Sequence, residues 1–235
     1  MLFRSPDSPP ADGTYWLDLS NTTWGVEEWD ATTQSFTKMT PIVITSSGDL
    51  VSGTPKSSIG KVGQYAAVVA STDNGLFYKN MTNTWVQVGS DAWEVSYPTV
   101  TGTTINPTFT ANSTVTINTI TVQLTTATTV AGVASKINAA AITGVTADSA
   151  NNQLNIYVNN TATSTGGSAD GKLIIVDGTH TPLAQAGITA GTYYNPQVSH
   201  ATFVGVPSWR STDTTPAPSG SVYIKTSVQG GGMNL

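Results

Sequence analysis

Short apolar runs broken by Asn, Asp, Ser and Thr clusters set the rhythm of this chain. Near the start, Tyr15-Trp16-Leu17-Asp18-Leu19 is followed by Ser20-Asn21-Thr22-Thr23, then by Trp24-Gly25-Val26-Glu27-Glu28-Trp29. The next polar cluster, Asp30-Ala31-Thr32-Thr33, leads into Gln34-Ser35-Phe36. Aromatic and β-branched runs punctuated in this way predict hairpins. A related hairpin is predicted at Leu76-Phe77-Tyr78-Lys79-Asn80, turning through Met81-Thr82-Asn83-Thr84 into Trp85-Val86-Gln87-Val88-Gly89. The shared device is an aromatic strand, an Asn/Thr turn and a return strand that opens with Trp.

The texture changes over 99–200. Thr114-Val115-Thr116-Ile117-Asn118 and Ile120-Thr121-Val122-Gln123-Leu124 alternate with period two, as half-buried strands do. One helix is predicted near 129–141, where Val130, Val133, Ala134 and Ile137 recur at i, i+3, i+4 and i+7. Thr128 or Thr129 is placed to cap it, and Gly144 lies just beyond it where the chain can reverse. Further strands are predicted at 144–147, 153–158 and 172–176.

The ends echo each other. Arg4-Ser5-Pro6-Asp7 through Gly13-Thr14-Tyr15-Trp16-Leu17 matches Arg210-Ser211-Thr212-Asp213 through Gly220-Ser221-Val222-Tyr223-Ile224 in Arg, Ser, Asp, Pro, Ala and Gly once one gap is allowed. A duplicated unit is the expectation, its second copy cut short at Val228 to Leu235, with an open strand there and a polypeptide that runs on. The expected fold is mainly β with one short helix: tandem small β-hairpin or β-sandwich-like modules flanking a small α+β module. Its units are 1–40, 41–98, 99–200 and 201–235, the last being the start of a second copy of the first.

Composition narrows the function. The 235 residues include 40 Thr and 22 Gly, and only 10% are charged, against about 25% in ordinary soluble proteins. A net charge of −5 argues against nucleic-acid binding. No cysteine is present, which excludes disulfides, thiolate metal sites and a Cys nucleophile. The apolar runs fall far short of the roughly 20 residues a spanning helix needs, so no membrane insertion is expected. The N-terminus has no apolar h-region, so no signal peptide is expected.

Catalytic chemistry is sparse. The histidines are His180 and His200, and Glu occurs only at 27, 28 and 94. Glu27 and Glu28 are adjacent on a predicted strand and point to opposite faces. Asp170-Gly171 and Asp177-Gly178 read as turns, because no D-x-D-x-D spacing supports a calcium cage. No nucleophile elbow, phosphate loop or H-E-x-x-H helix is present. No catalytic residue, cofactor or metal is therefore expected, and a catalytic reading requires Asp170, Asp177 and His180 to converge. Trp16, Trp24, Trp29, Tyr78 and Trp85 are the candidates for glycan stacking or an interface, against the alternative that they fill the cores of small β modules.

Two stretches carry a resemblance. Asn118, residues 130–138 with their Ile137-Asn138 ending, Gly144-Val145-Thr146-Ala147 and Gln153-Leu154-Asn155-Ile156 resemble the small IN-motif module of bacterial flagellar hook-associated proteins, also found in many phage structural proteins. Residues 182–194 resemble the tail of that module. Asp91-Ala92-Trp93, Val206-Pro207-Ser208-Trp209-Arg210-Ser211 and residues 218–226 resemble the repeated units of large virion structural proteins of T4-like marine (cyanophage-type) tailed phages. The resemblance implies a virion component of tail, neck or fibre, assembled in the host cytoplasm. Its implied partners are other copies of itself, other virion proteins and host-surface glycans. A capsid-surface decoration protein and an extracellular carbohydrate-binding adhesin are the alternatives.

Overall fold

The structure, a computed structural model, describes residues 25–30, 35–70, 75–196, 198–201, 220 and 222–225. The first hairpin is β1 (Gly25–Asp30) and β2 (Ser35–Met39), paired antiparallel with Trp29 opposite Phe36 and Asp30 opposite Ser35. The predicted turn residues Ala31, Thr32 and Thr33 lie outside the described residues. Next come β3 (Ile42–Ile44), the short ribbon β4 (Leu50–Val51) and β5 (Thr54–Pro55), then β6 (Tyr65–Val68), β7 (Gly75–Lys79) and β8 (Trp85–Gln87). Strands β3, β6, β7 and β8 form one sheet in that order, with β3 parallel to β6 and the rest antiparallel.

Every residue of β6 and β7 is buried, with no alternation. Both faces of this sheet are covered, as a continuous apolar run demands. Tyr65, Leu76, Tyr78, Val86 and Val88 pack on one side with Val26, Trp93 and Val222. Ala66, Val68, Phe77 and Trp85 pack on the other with Ile44, Leu50 and Ile59. The single-turn α1 (Asp91–Glu94) follows, capped by Ser90, whose side chain accepts from Trp93 N.

The central unit opens with β9 (Val100–Thr101), then β10 (Thr114–Ile117), β11 (Ile120–Gln123) and α2 (Val130–Ala139). The helix buries Val130, Val133, Ala134 and Ile137, the periodic set, and its N-cap is Thr129, which accepts from Gly132 N at 3.2 Å. After it come β12 (Val145–Asp148), β13 (Asn155–Val158), β14 (Lys172–Asp177), α3 (Pro182–Ala186) and β15 (Gly191–Tyr194). Two sheets result, β11-β10-β14-β15 and β12-β13-β9, and one apolar cluster joins both to α2 and α3.

Asparagine does much of the joining. Asn138 donates Nδ2 to Ala147 O and accepts from Ala147 N, each at 2.8 Å, so its amide pairs with β12 as a neighbouring strand would. Asn118 does the same for β14, accepting from Ile174 N at 2.8 Å and donating to Lys172 O at 3.2 Å. Gly144, at φ +69°, makes the reversal after α2; a Cβ there would collide with the Ala162 backbone and the Asn159 side chain.

The fold is mostly β, and α2 is its one helix of more than five residues among those described. Two single-turn helices, α1 and α3, were not expected. The C-terminal region also departs from expectation. Strand β16 (Val198–Ala201) lies parallel to β17 (Val222–Lys225), and β17 pairs antiparallel with β1, giving the sheet β16-β17-β1-β2. Strand β17 thus has both edges occupied, one of them by the N-terminal hairpin; the open strand expected at 228–235 lies outside the described residues. The duplicated lead at 4–17 and the stretch from 226 onward lie outside the described residues.

Candidate functional site

Of the five aromatic candidates, Trp16 and Trp24 lie outside the described residues. The other three are interior: Trp29 is 2% exposed, Trp85 4% and Tyr78 7%. None offers the open ring face that stacking on a sugar needs, which corrects the stacking expectation for these three. Trp85 is enclosed by the 56–60 loop. Its indole Nε1 donates to Lys56 O at 3.1 Å, and the Lys79 ammonium lies 5.4 Å from its ring centre. Lys79 itself is wholly buried and donates to Ser57 O, Ile59 O and Gly60 O at 2.6, 2.6 and 2.9 Å.

Tyr78 belongs to a tyrosine cluster. Its ring centre lies 5.2 Å from Tyr65 and 5.0 Å from Tyr97, and the Tyr65 and Tyr97 hydroxyls are 3.2 Å apart. Burial, with the Glu28 carboxylate nearby, pushes the hydroxyls of Tyr65 and Tyr78 well above the usual phenol range. Tyr97 is pushed up by burial first, then by Tyr65 and Glu28. The cluster ties the β1 hairpin to the β6–β7–β8 sheet; it holds two units together and leaves no ring face free.

Asp170, Asp177 and His180 do not converge. Asp170 and Asp177 flank β14 at opposite ends, about 20 Å apart along a strand of this length. Asp177 accepts from Leu183 N at 2.8 Å and Ala184 N at 3.1 Å, which fixes the start of α3. His180 is exposed in the turn before α3, at φ +62°, and its carbonyl accepts from Gln185 Nε2. His200 stands opposite Ile224 on β16. Among the described residues no group of three or more His, Asp or Glu side chains is placed to hold a metal ion.

What the structure does assemble is a cleft of about 500 Å³ at the junction of the aromatic unit, the central unit and the approach to β16. Gly89, Trp93 and Glu94 form one wall, Asn160, Ala169, Asp170 and Gly171 a second, and Asn195, Pro196 and Val198 a third. Glu94 is 5% exposed, and its Oε2 accepts from Asn160 N at 2.6 Å. Burial pushes its carboxyl above the ordinary range, while the Asn160 amide and the Asn195 side chain pull against that. Asp170 behaves oppositely. It accepts from the Ser164 hydroxyl, from Ser164 N and from Lys172 N, and these donors hold its carboxyl below the ordinary range. Lys172 Nζ stands 3.8 Å from Asp170 Oδ2.

Sequence reasoning passed over Glu94, Asn160 and Asn195. They come from α1 and two separate loops, and the N-cap residue Ser90 is the one local signal that Glu94 sits in a helical turn. Trp93 lines the cleft but is fully buried, and its indole Nε1 has no hydrogen-bond partner among the described residues. No helix among those residues is long and apolar enough to cross a membrane. No protein-family model, no curated protein and no solved structure matches this chain.

Proposed function

We propose that the chain is a structural component of a tailed-bacteriophage virion, seated on the tail, neck or a fibre, and that it works by assembly rather than catalysis. The observation that carries this is the outward face of the β11-β10-β14-β15 sheet. Thr114, Thr116, Thr121, Gln123, Ile174, Val176, Thr192 and Tyr194 alternate with the core residues Val115, Ile117, Val122, Leu173 and Ile175. Lys172 is the single charged residue on that face. Across the strands Thr116 stands opposite both Thr121 and Val176, with the two threonine hydroxyls 3.2 Å apart.

A sheet face of hydroxyls and small apolar groups costs less to desolvate than one of Lys and Glu, whose charges demand pairing when buried. The same economy runs through the whole chain, which is 10% charged. Both features suit a protein whose surface is covered by neighbouring copies and by other virion proteins. The resemblance of residues 91–93, 206–211 and 218–226 to phage virion repeats supports the same reading.

Quantitative mass spectrometry of density-purified particles tests it. Peptides of this chain should co-purify with intact particles at low copy number relative to the major shell subunit. A copy number matching the shell moves the protein to the head surface as a decoration protein. Absence from intact particles overturns the reading.

A further inference from the structure

The cleft holds a buried carboxylate with no countercharge. Glu94 is 5% exposed, and its partners are neutral amides, Asn160 N–H and the Asn195 side chain. It forms no ion pair with any described residue. Asp91, three residues earlier on α1, adds a second negative charge that opposes ionisation of Glu94. Among the described residues that line the cleft there is no Lys, Arg or His, and Asp170 contributes another carboxylate. A buried carboxylate served only by neutral donors is costly, and a cation brought to it recovers that cost.

We propose that this cleft receives an arginine-bearing segment of a partner protein, with the guanidinium against Glu94. The planar fork of five donors suits a site offering a carboxylate that only neutral amides serve. The volume, about 500 Å³, exceeds what one side chain fills and is in the range that takes a short peptide segment. Gly89, Ala169, Gly171 and Pro196 leave the walls low enough for a backbone to approach. A sugar is the poorer occupant, because Trp93, the one aromatic residue of the cleft, has no exposed face. A divalent metal is poorer still, because Glu94 and Asp170 are the only acidic side chains among the described lining residues and Asp170 already faces Lys172. This inference goes beyond the assembly reading, and its test uses the isolated chain, so either can fail alone.

The Asn160 amide proton, hydrogen-bonded to Glu94, is the reporter. The ¹⁵N-labelled chain is titrated with acetyl-Gly-Arg-Gly-amide, with its neutral citrulline counterpart, with methyl mannoside and with calcium chloride. The arginine peptide should shift the Asn160 and Gly171 resonances saturably, and the other three should not. Glu94→Gln keeps an acceptor for Asn160 N–H and should weaken arginine-peptide binding about thirtyfold or more, as loss of a buried charge pair does. Equal response to the citrulline peptide, or no response to the arginine peptide at millimolar concentration, overturns the proposal. So does a shift of Asn160 by the sugar or by calcium alone.

Discussion

The Lys79 ammonium lies 5.4 Å from the centre of the Trp85 ring, while three backbone carbonyls of the 57–60 loop accept its protons. The two residues face each other across the β7–β8 pairing, where Lys79 is the direct partner of Trp85. A fully buried lysine is normally a liability. Here the ammonium's three protons are all taken by loop carbonyls, and the indole face completes the shell. Lys79 is thus the post around which the 56–60 loop is wound.

Replacing Lys79 with Met keeps the stem and removes the donors. It should destabilise the chain by about 2–4 kcal/mol, since three charge-assisted hydrogen bonds to the loop are lost. Urea unfolding followed by tryptophan fluorescence measures this directly. Loss of the loop should also change Trp85 emission before global unfolding.

Asn138 supplies both a donor and an acceptor to Ala147. Asn138→Ala should cost about 2–3 kcal/mol through the two unmet backbone groups of Ala147. Asn138→Asp should be worse at neutral pH than in acid, because the ionised carboxylate faces the Ala147 carbonyl. Denaturant midpoints for both variants at two pH values test the pair of statements.

Gly144 and Gly53 both have positive φ, but only Gly144 has its Cβ position filled by other atoms. Gly53→Ala should cost about 1 kcal/mol for the left-handed backbone alone. Gly144→Ala adds a collision with the Ala162 backbone and should cost about 3 kcal/mol or more. Comparable losses in thermal unfolding of the two variants would contradict the geometry.

Glu94 sets a pH dependence whose sign follows from burial. Its folded carboxyl binds a proton more tightly than the unfolded one, chiefly through desolvation. Stability from this group is greatest in acid. It falls as pH rises from the ordinary carboxyl pKa, near about 4, to the raised folded value, and is level above that. Glu94→Gln removes this loss, so the variant should gain on the wild type as pH climbs from acid to neutral. Urea unfolding of both proteins across that range reads the difference.

Local pattern carried the local structure. The α2 periodicity named all four residues that the helix buries, and the Asn/Thr cluster at 80–84 marked the reversal between β7 and the Trp85-led β8. The α3 signals were also present, a Pro at N1 and a Gly just past the end, yet too short a span of periodicity accompanied them. What escaped is long-range. The pairing of Gly25 with Lys225 joins residues 200 positions apart, and nothing in either strand specifies its partner. Nothing in the sequence beside Lys79 or Glu94 marks either as buried; residues distant in the chain close over them. The aromatic residues were legible as a class, but which rings lie inward depends on the sheet having both faces covered.

The measurement that most directly tests assembly through the outward face of the β11-β10-β14-β15 sheet is amine footprinting of Lys172. Intact particles and the free chain are labelled with the same acylating reagent, and the extent at Lys172 is compared with that at the exposed Lys61. Burial of this face against a neighbour predicts that Lys172 is labelled several-fold less in particles than in the free chain, relative to Lys61. Equal labelling of Lys172 in both forms would contradict the account.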